Sequence, residues 1–270
     1  MLKLRPDLQK IFPGPEAEVF DQIMNLQGDA YRDLAGRRTI RVVLDGHGYF
    51  AKLHYGVGWG EILKNIIFLR LPVVGARTEW LAIQRFAEIG LATMSIAGFG
   101  ERGRDPAKKQ SFLITDELAE TISLEDLILN KKTYPVSTAM KRRLLKKVAQ
   151  IARVMHQNGV NHRDFYLCHF LLPIKWLKQP NSDLEPPLYV IDLHRTQLRS
   201  VVPQRWLEKD LAGLYFSSMD AGLTRRDRLR FVSCYEGIPV RRVIEELPGY
   251  WLKIERKSSK LHKKFHKRYS

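Results

Sequence analysis

The chain has little cysteine. Cys168 and Cys234 are the only two in 270 residues. That is too few for a disulfide framework, and neither sits in a C-x-x-C metal pattern. Both read as reduced thiols of a reducing compartment. Long apolar runs are lacking too. The most apolar window, Ile62 to Leu71, is interrupted by Lys64, Asn65 and Arg70. It falls far short of the roughly 20 residues that span a bilayer. Met1 to Asp7 contains no apolar signal core, so a soluble or membrane-peripheral protein of the cytoplasm is expected. There is no Walker-type loop, which argues against a P-loop site. No helix-turn-helix, RRM or zinc pattern accompanies the positive charge, so nucleic acid is not the expected partner. Acidic residues are the scarcer sign: 29 Asp and Glu face 45 Lys and Arg, for a net charge of +16. Such a surface concentrates anions near it. ATP, an anionic membrane, a phosphorylated sugar lipid and an acidic protein all qualify.

A hydrophobic content of 44% suffices for a real core, in one domain or two lobes. Residues 17–34 are expected to be largely helical. Arg38 to Leu44 then sets Ile40, Val42 and Leu44 on one strand face. Asp45-Gly46 is a hairpin turn signal, and Tyr49 to Leu53 is the return strand, with Phe50 and Lys52 sharing a face. A short helix is expected over 61–71, another from Thr78 to Glu88, and a strand over Ser111 to Thr115. Asp116-Glu117-Leu118 is a polar stop, which divides the chain into lobes at 1–117 and 118–270. Leu144, Val148, Ile151 and Met155 mark 138–157 as the clearest helix, ended by Gly159. His169–Ile174 and Leu188–Leu193 read as short strands, and 175–187 between them as an exposed loop. Helices are expected over 204–219 and 224–235, the second with Thr224 and Asp227 at capping-box spacing. The fold class is therefore α+β, an antiparallel sheet with helices followed by a mainly helical lobe.

Three charged residues stand where phosphoryl transfer needs them. Lys52 interrupts the apolar strand Tyr49-Phe50-Ala51-Lys52-Leu53, Asp164 ends His162-Arg163-Asp164 after the long helix, and Asp192 ends the apolar run Leu188-Tyr189-Val190-Ile191. The chemistry needs a cation on the phosphates, a carboxylate that orients the attacking hydroxyl, and an oxygen ligand for a divalent ion. Lys52, Asp164 and Asp192 take those roles in turn. Lys52 also calls for a carboxylate on the following helix: Glu79 is chosen over Glu61, which lies only nine residues on and precedes an extra apolar helix. Thr115 to Leu118 is hinge-like, with Glu117 and Leu118 expected among the nucleotide-binding residues. His162 and Arg163 read as structural loop residues, and Asp210 as either a buried anchor of that loop or a solvated helix aspartate. Gly56-Val57-Gly58-Trp59-Gly60 follows the lysine strand, whereas the kinase glycine loop precedes it. It reads as a flexible loop near the acceptor.

The segments Asn161 to Leu172, Val190 to Arg199 and Lys209 to Met219 together resemble the lipopolysaccharide core heptose(I) kinases of Gram-negative bacteria. Arg37-Arg38-Thr39 and Tyr49-Phe50-Ala51-Lys52 match as well, and the likeness runs from about Leu26 to Arg230. It implies a two-lobed protein-kinase-like fold and ATP-dependent phosphorylation of the first inner-core heptose at its 4-hydroxyl. It supports Asp164 as catalytic, with Lys52 and Asp192 as the nucleotide and metal residues. Kinases in general place an asparagine metal ligand five residues after the H-R-D aspartate; here that position is His169, and Asp-Leu-His stands for Asp-Phe-Gly. His169 is therefore expected either to coordinate Mg²⁺ or Mn²⁺ through a ring nitrogen or to contact a phosphate as a donor. The implied acceptor is a polyanionic lipid at the cytoplasmic face of the inner membrane, where the basic segment 253–268 could rest on anionic headgroups. The alternatives are a protein kinase acting on tyrosine, which the short stretch between Asp192 and Pro203 disfavours, and a non-catalytic basic scaffold.

Overall fold

The computed structural model describes residues 1–34, 36–67, 74–130, 132–178 and 185–269. The chain divides into two compact units. One comprises Met1–Arg85, Met94–Ala119 and Leu193–Arg195; the other comprises Phe86–Thr93, Glu120–Asp192 and Thr196–Ser270. A single cut between 117 and 118 does not express this interleaving. Residues 86–93 join the second unit through a pair of bonds to strand Tyr189–Val190: Val190 N–H donates to the Ala92 carbonyl, and Thr93 Oγ1 donates to the Val190 carbonyl.

The first unit is built on antiparallel pairing. In chain order it holds β1 (Leu2–Leu4), α1 (Pro6–Ile11), α2 (Glu16–Met24), β2 (Asp29–Leu34), β3 (Arg37–Leu44), β4 (His47–His54), α3 (Gly58–Ile67), α4 (Arg77–Glu88, its last turn in the second unit), β5 (Ile96–Arg102) and β6 (Gln110–Asp116). The sheet order is β1-β5-β6-β4-β3-β2. Asp45 (φ 47°) and Gly46 (φ 77°) close the β3–β4 hairpin with two positive-φ residues, the geometry that follows strand twist. Alternation then decides the faces. Ile40, Val42, Tyr49, Ala51 and Leu53 face a core shared with Leu8, Phe20, Ile23, Phe112 and Ile114. The opposite face carries Phe50, Lys52 and His54, paired directly with Arg41, Thr39 and Arg37.

Residues 17–34 are not one helix. The helix stops at Asn25, whose N–H bonds back to Asp21, and Asp29–Leu34 is a strand paired with β3. Gly28 makes the crossing possible, because a Cβ there would collide with the Arg41 carbonyl oxygen. The helix expected over 61–71 begins earlier, at Gly58, and is described to Ile67; 68–71 lie outside the described residues.

The second unit is mainly helical. It contains β7 (Thr121–Ser123), α5 (Leu124–Leu129), α6 (Thr138–Gln157), β8 (Val160–Asn161), β9 (Phe170–Pro173), α7 (Ile174–Leu177), β10 (Tyr189–Val190), β11 (Gln197–Leu198), α8 (Gln204–Ser217), α9 (Arg225–Glu236), α10 (Val240–Glu246) and α11 (Pro248–Tyr269). Helix α6 is capped by the Ser137 side chain and buries Leu144, Val148, Ile151 and Met155 along one stripe. Thr224 and Asp227 form the reciprocal capping box of α9. Three expectations need correction. Leu167–His169 is a 3₁₀ turn, so the strand there is only Phe170–Pro173. The later strand is only Tyr189–Val190, because Asp192 adopts φ 62°, outside extended space. Ile174–Leu177 is a helical turn that buries Trp176, so the supposed loop starts after it; 179–184 lie outside the described residues. The basic segment at the end belongs to α11. Lys253 and Lys257 both bind the buried Glu208, and Ser258 Oγ donates to the Ala212 carbonyl at 3.0 Å. Among the described residues no helix is long and apolar enough to cross a membrane.

Candidate active site

In the first unit, Lys52 lies on the non-core face of β4. Its Nζ stands 2.6 Å from Glu79 Oε1, in the first turn of α4. Glu79 is 2% exposed. A carboxylate so withdrawn from water is tolerable because it is paired, and breaking such a pair costs about 3–5 kcal/mol. The other candidate partner, Glu61, is exposed and lies 3.7 Å from Lys64. The Glu117 carboxylate is held in a bidentate pair by Arg41 at 2.7 and 2.8 Å, which keeps it below the usual carboxylate range. Its N–H donates to the Gly48 carbonyl. Leu118 follows at the end of the first unit, beyond β6.

In the second unit, the loop after α6 is locked from beneath. Gly159, at φ 75°, turns the chain out of the helix where a Cβ would collide with the Arg199 carbonyl. Asp210 on α8 is fully buried. Its two carboxylate oxygens accept the main-chain N–H groups of His162 (2.7 Å) and Arg163 (2.8 Å). Arg163 is held at φ 74°, a conformation that costs of order 1–3 kcal/mol for a non-glycine residue. Its guanidinium sits 5.1 Å over the Trp206 ring. Asp210 is thus the buried anchor of the loop, and His156 supports it at 3.4 Å.

His162 is a strut. Its Nε2 donates to the Ile191 carbonyl at 3.0 Å, tying the loop to the residue before Asp192. Burial lowers its pKa, so the ring is neutral. Asp164 follows at intermediate exposure. Its carbonyl accepts from His169 Nδ1 at 2.7 Å, which places a proton on Nδ1. The Nε2 of the same ring is 3.6 Å from Asp192 Oδ2. An imidazole nitrogen on a ring oriented by a main-chain carbonyl, beside a carboxylate oxygen at this distance, is a donor pair that fits one divalent cation.

Sequence reasoning missed three supports. Arg41 fixes Glu117. Ser217 Oγ accepts the Leu167 N–H at 3.0 Å. Gly213 lets α8 approach the loop, since a Cβ there would lie 3.2 Å from the Phe165 carbonyl oxygen. The run of small residues Ala212-Gly213 just after Asp210 was the available signal. The second unit also holds an apolar cavity of about 800 Å³, partly open to solvent, lined by Leu127, Leu144, Leu214, Val232, Leu247 and Trp251 among others, with Lys141, Arg225 and Arg228 also lining it.

A model of the lipopolysaccharide kinase (Kdo/WaaP) family matches residues 21–235. The chain is 49% identical to the lipopolysaccharide core heptose(I) kinase WaaP of Pseudomonas aeruginosa, over 97% of this chain and 96% of that protein. It is 42% identical to the protein of the same name from Escherichia coli, over 98% of both. Among solved structures it is similar to WaaP in complex with acyl carrier protein, with a TM-score of 0.80 and 42% identity, covering 97% of this chain and 99% of that one.

Proposed function

The chain belongs to the lipopolysaccharide kinase (Kdo/WaaP) family, and from that membership we propose that it transfers the γ-phosphoryl group of ATP to the 4-hydroxyl of the first heptose of the lipopolysaccharide inner core. The observation that best supports the chemistry is the loop bearing Asp164, whose two preceding N–H groups are held by the buried Asp210. A carboxylate so fixed can accept the proton of the attacking hydroxyl without first being ordered. Lys52, steadied by Glu79, neutralises phosphate oxygens. Asp192 and His169 Nε2 would hold a divalent cation, Mg²⁺ or Mn²⁺, which would spread the charge of the phosphates. Main-chain groups of Glu117 and Leu118 contact the nucleotide, since the Glu117 carboxylate is engaged by Arg41.

Two partners follow. The solved relative is in complex with acyl carrier protein, an acidic protein of the kind a +16 chain attracts. The apolar cavity of the second unit, with Lys141, Arg225 and Arg228 among its lining residues, has the chemistry to receive an acyl chain from such a carrier. The acceptor lipid brings the enzyme to the cytoplasmic face of the inner membrane as a peripheral protein. The test is turnover of ATP by the purified protein on inner-core lipopolysaccharide lacking heptose phosphate, followed by mass analysis. Addition of one phosphate to the first heptose supports the reading; an unmodified heptose overturns it.

A further inference from the structure

Helix α3 presents a row of large apolar side chains to solvent. Trp59, Leu63 and Ile67 recur every fourth residue, so they share one face, and they are 52%, 53% and 76% exposed. Ile62, on the neighbouring face, is buried and anchors the helix to the first unit. A folded protein has no use for three such side chains in water, and an exposed apolar row is a surface that something covers.

The start of this helix is bound to a basic loop. Gly58 N–H donates to the Ala107 carbonyl at 3.0 Å. Gly56, at φ 99°, is pressed against the same segment: a Cβ there would lie 2.6 Å from the Ala107 carbonyl oxygen and 3.0 Å from Lys108 Cα. The loop carries Arg104 and Lys108, both exposed, with Asp105 between them turned onto the Ala107 N–H at 2.9 Å. Exposed aromatic and aliphatic side chains beside exposed cations, on one compact unit, have the composition of an interfacial element. Trp is also the residue whose ring favours the headgroup level of a bilayer.

We propose that the α3 face formed by Trp59, Leu63 and Ile67, with Arg104 and Lys108 beside it, docks the enzyme on an anionic lipid bilayer. This rests on the reading that the acceptor is a membrane lipid, and it names the surface that meets the membrane. The apolar row enters the boundary between headgroups and acyl chains, and the two cations meet lipid phosphates. Arg104 and Lys108 leave the loop with a net positive charge, Glu61 on the helix is offset by Lys64 at 3.7 Å, and the +16 chain as a whole favours an anionic surface; the acidic carrier protein is assigned instead to the apolar cavity of the second unit. None of these five residues belongs to the proposed catalytic set.

The experiment uses the full chain and two measurements. The first is co-sedimentation with vesicles of phosphatidylglycerol and phosphatidylethanolamine, and with vesicles of phosphatidylcholine alone. The wild type should bind the anionic vesicles and lose binding as salt is raised. The triple variant Trp59→Ser/Leu63→Ser/Ile67→Ser should bind them roughly 10²-fold more weakly, because the apolar burial is gone. Arg104→Glu/Lys108→Glu should weaken binding to anionic vesicles alone. The second measurement is phosphorylation of a deacylated, water-soluble inner-core saccharide. Arg104→Glu/Lys108→Glu should match the wild type there within about twofold, far-UV circular dichroism should show both variants folded, and both should lose turnover on acceptor embedded in vesicles. Wild-type vesicle binding by the triple variant overturns the inference. So does a wild-type dimer in solution that the triple variant abolishes while vesicle binding persists, since the row would then be a contact between copies. Failure of the wild type on the soluble saccharide contradicts the kinase reading instead, and leaves vesicle binding to decide the docking surface by itself.

Discussion

Replacing Asp210 by Asn tests the architecture of the loop bearing Asp164 at one atom. The wild-type carboxylate accepts two main-chain N–H groups, from His162 at 2.7 Å and Arg163 at 2.8 Å, with no solvent access. The amide keeps one acceptor oxygen and sets an NH₂ against the other N–H. One hydrogen bond to a charged group is lost, worth about 1.5–3 kcal/mol, and a buried donor is left unmatched. The φ of 74° at Arg163 loses half its restraint, so the loop relaxes and Asp164 moves. Spread over a chain of this size, a loss of about 2–3 kcal/mol lowers the melting temperature by roughly 4–12 °C. Turnover should fall by at least about tenfold. KM for ATP should change less, because Lys52 and Glu79 stand on the other unit. Thermal melting with steady-state kinetics on both substrates reads all three. A variant with wild-type melting and wild-type kcat would refute the anchoring role.

The buried pair is the next target: Glu79→Gln should raise KM for ATP roughly tenfold or more and destabilise the protein, and ATP titration of the folded variant with an unchanged KM would remove Glu79 as the holder of Lys52. At the donor pair, Asp192→Ala should abolish metal-dependent turnover, whereas His169→Asn keeps a ligand and should shift preference from Mn²⁺ toward Mg²⁺; metal titrations of both variants that overlay the wild type would exclude these side chains as ligands. Asp227 supplies a pH test. Burial by itself would raise its pKa, but hydrogen bonds from Lys141 and Thr224 bring it down to about 2. The folded value lies below the unfolded one, so its contribution is present above about pH 4 and is lost as pH falls through 2. Acid unfolding of Lys141→Met should start at higher pH than in the wild type; coincident acid transitions would show that the pair contributes nothing.

Much of the candidate site was legible because its parts are local. The periodicity of Leu144, Val148, Ile151 and Met155 is enough to define α6, and alternation with Asp45-Gly46 defines the β3–β4 hairpin and puts Lys52 opposite the core. The resemblance carried by the H-R-D, Asp-Leu-His and Lys-Asp-Leu segments extends over nearly the whole chain. What was hidden depends on distant partners. Strand β2 carries charged residues on both faces and looks like a continued helix until its pairing with Arg41 and Ile40 is seen. The positive φ of Asp192, which ends β10 early, leaves no mark in composition. Arg41 lies far from Glu117 in the chain, so nothing local warned that the carboxylate was engaged. The cavity draws its walls from α5, α6, α8, α9, α10 and α11, and no single segment announces it.

The most direct measurement compares the wild type with Asp164→Ala on inner-core lipopolysaccharide that lacks heptose phosphate, with ATP and Mg²⁺, the product being read by mass and by phosphorus NMR. The expected result is one phosphate on the 4-position of the first heptose with the wild type, and a rate lower by roughly 10²–10⁴ with the folded variant. Phosphate on another position or another molecule, or equal rates for the two proteins, would contradict it.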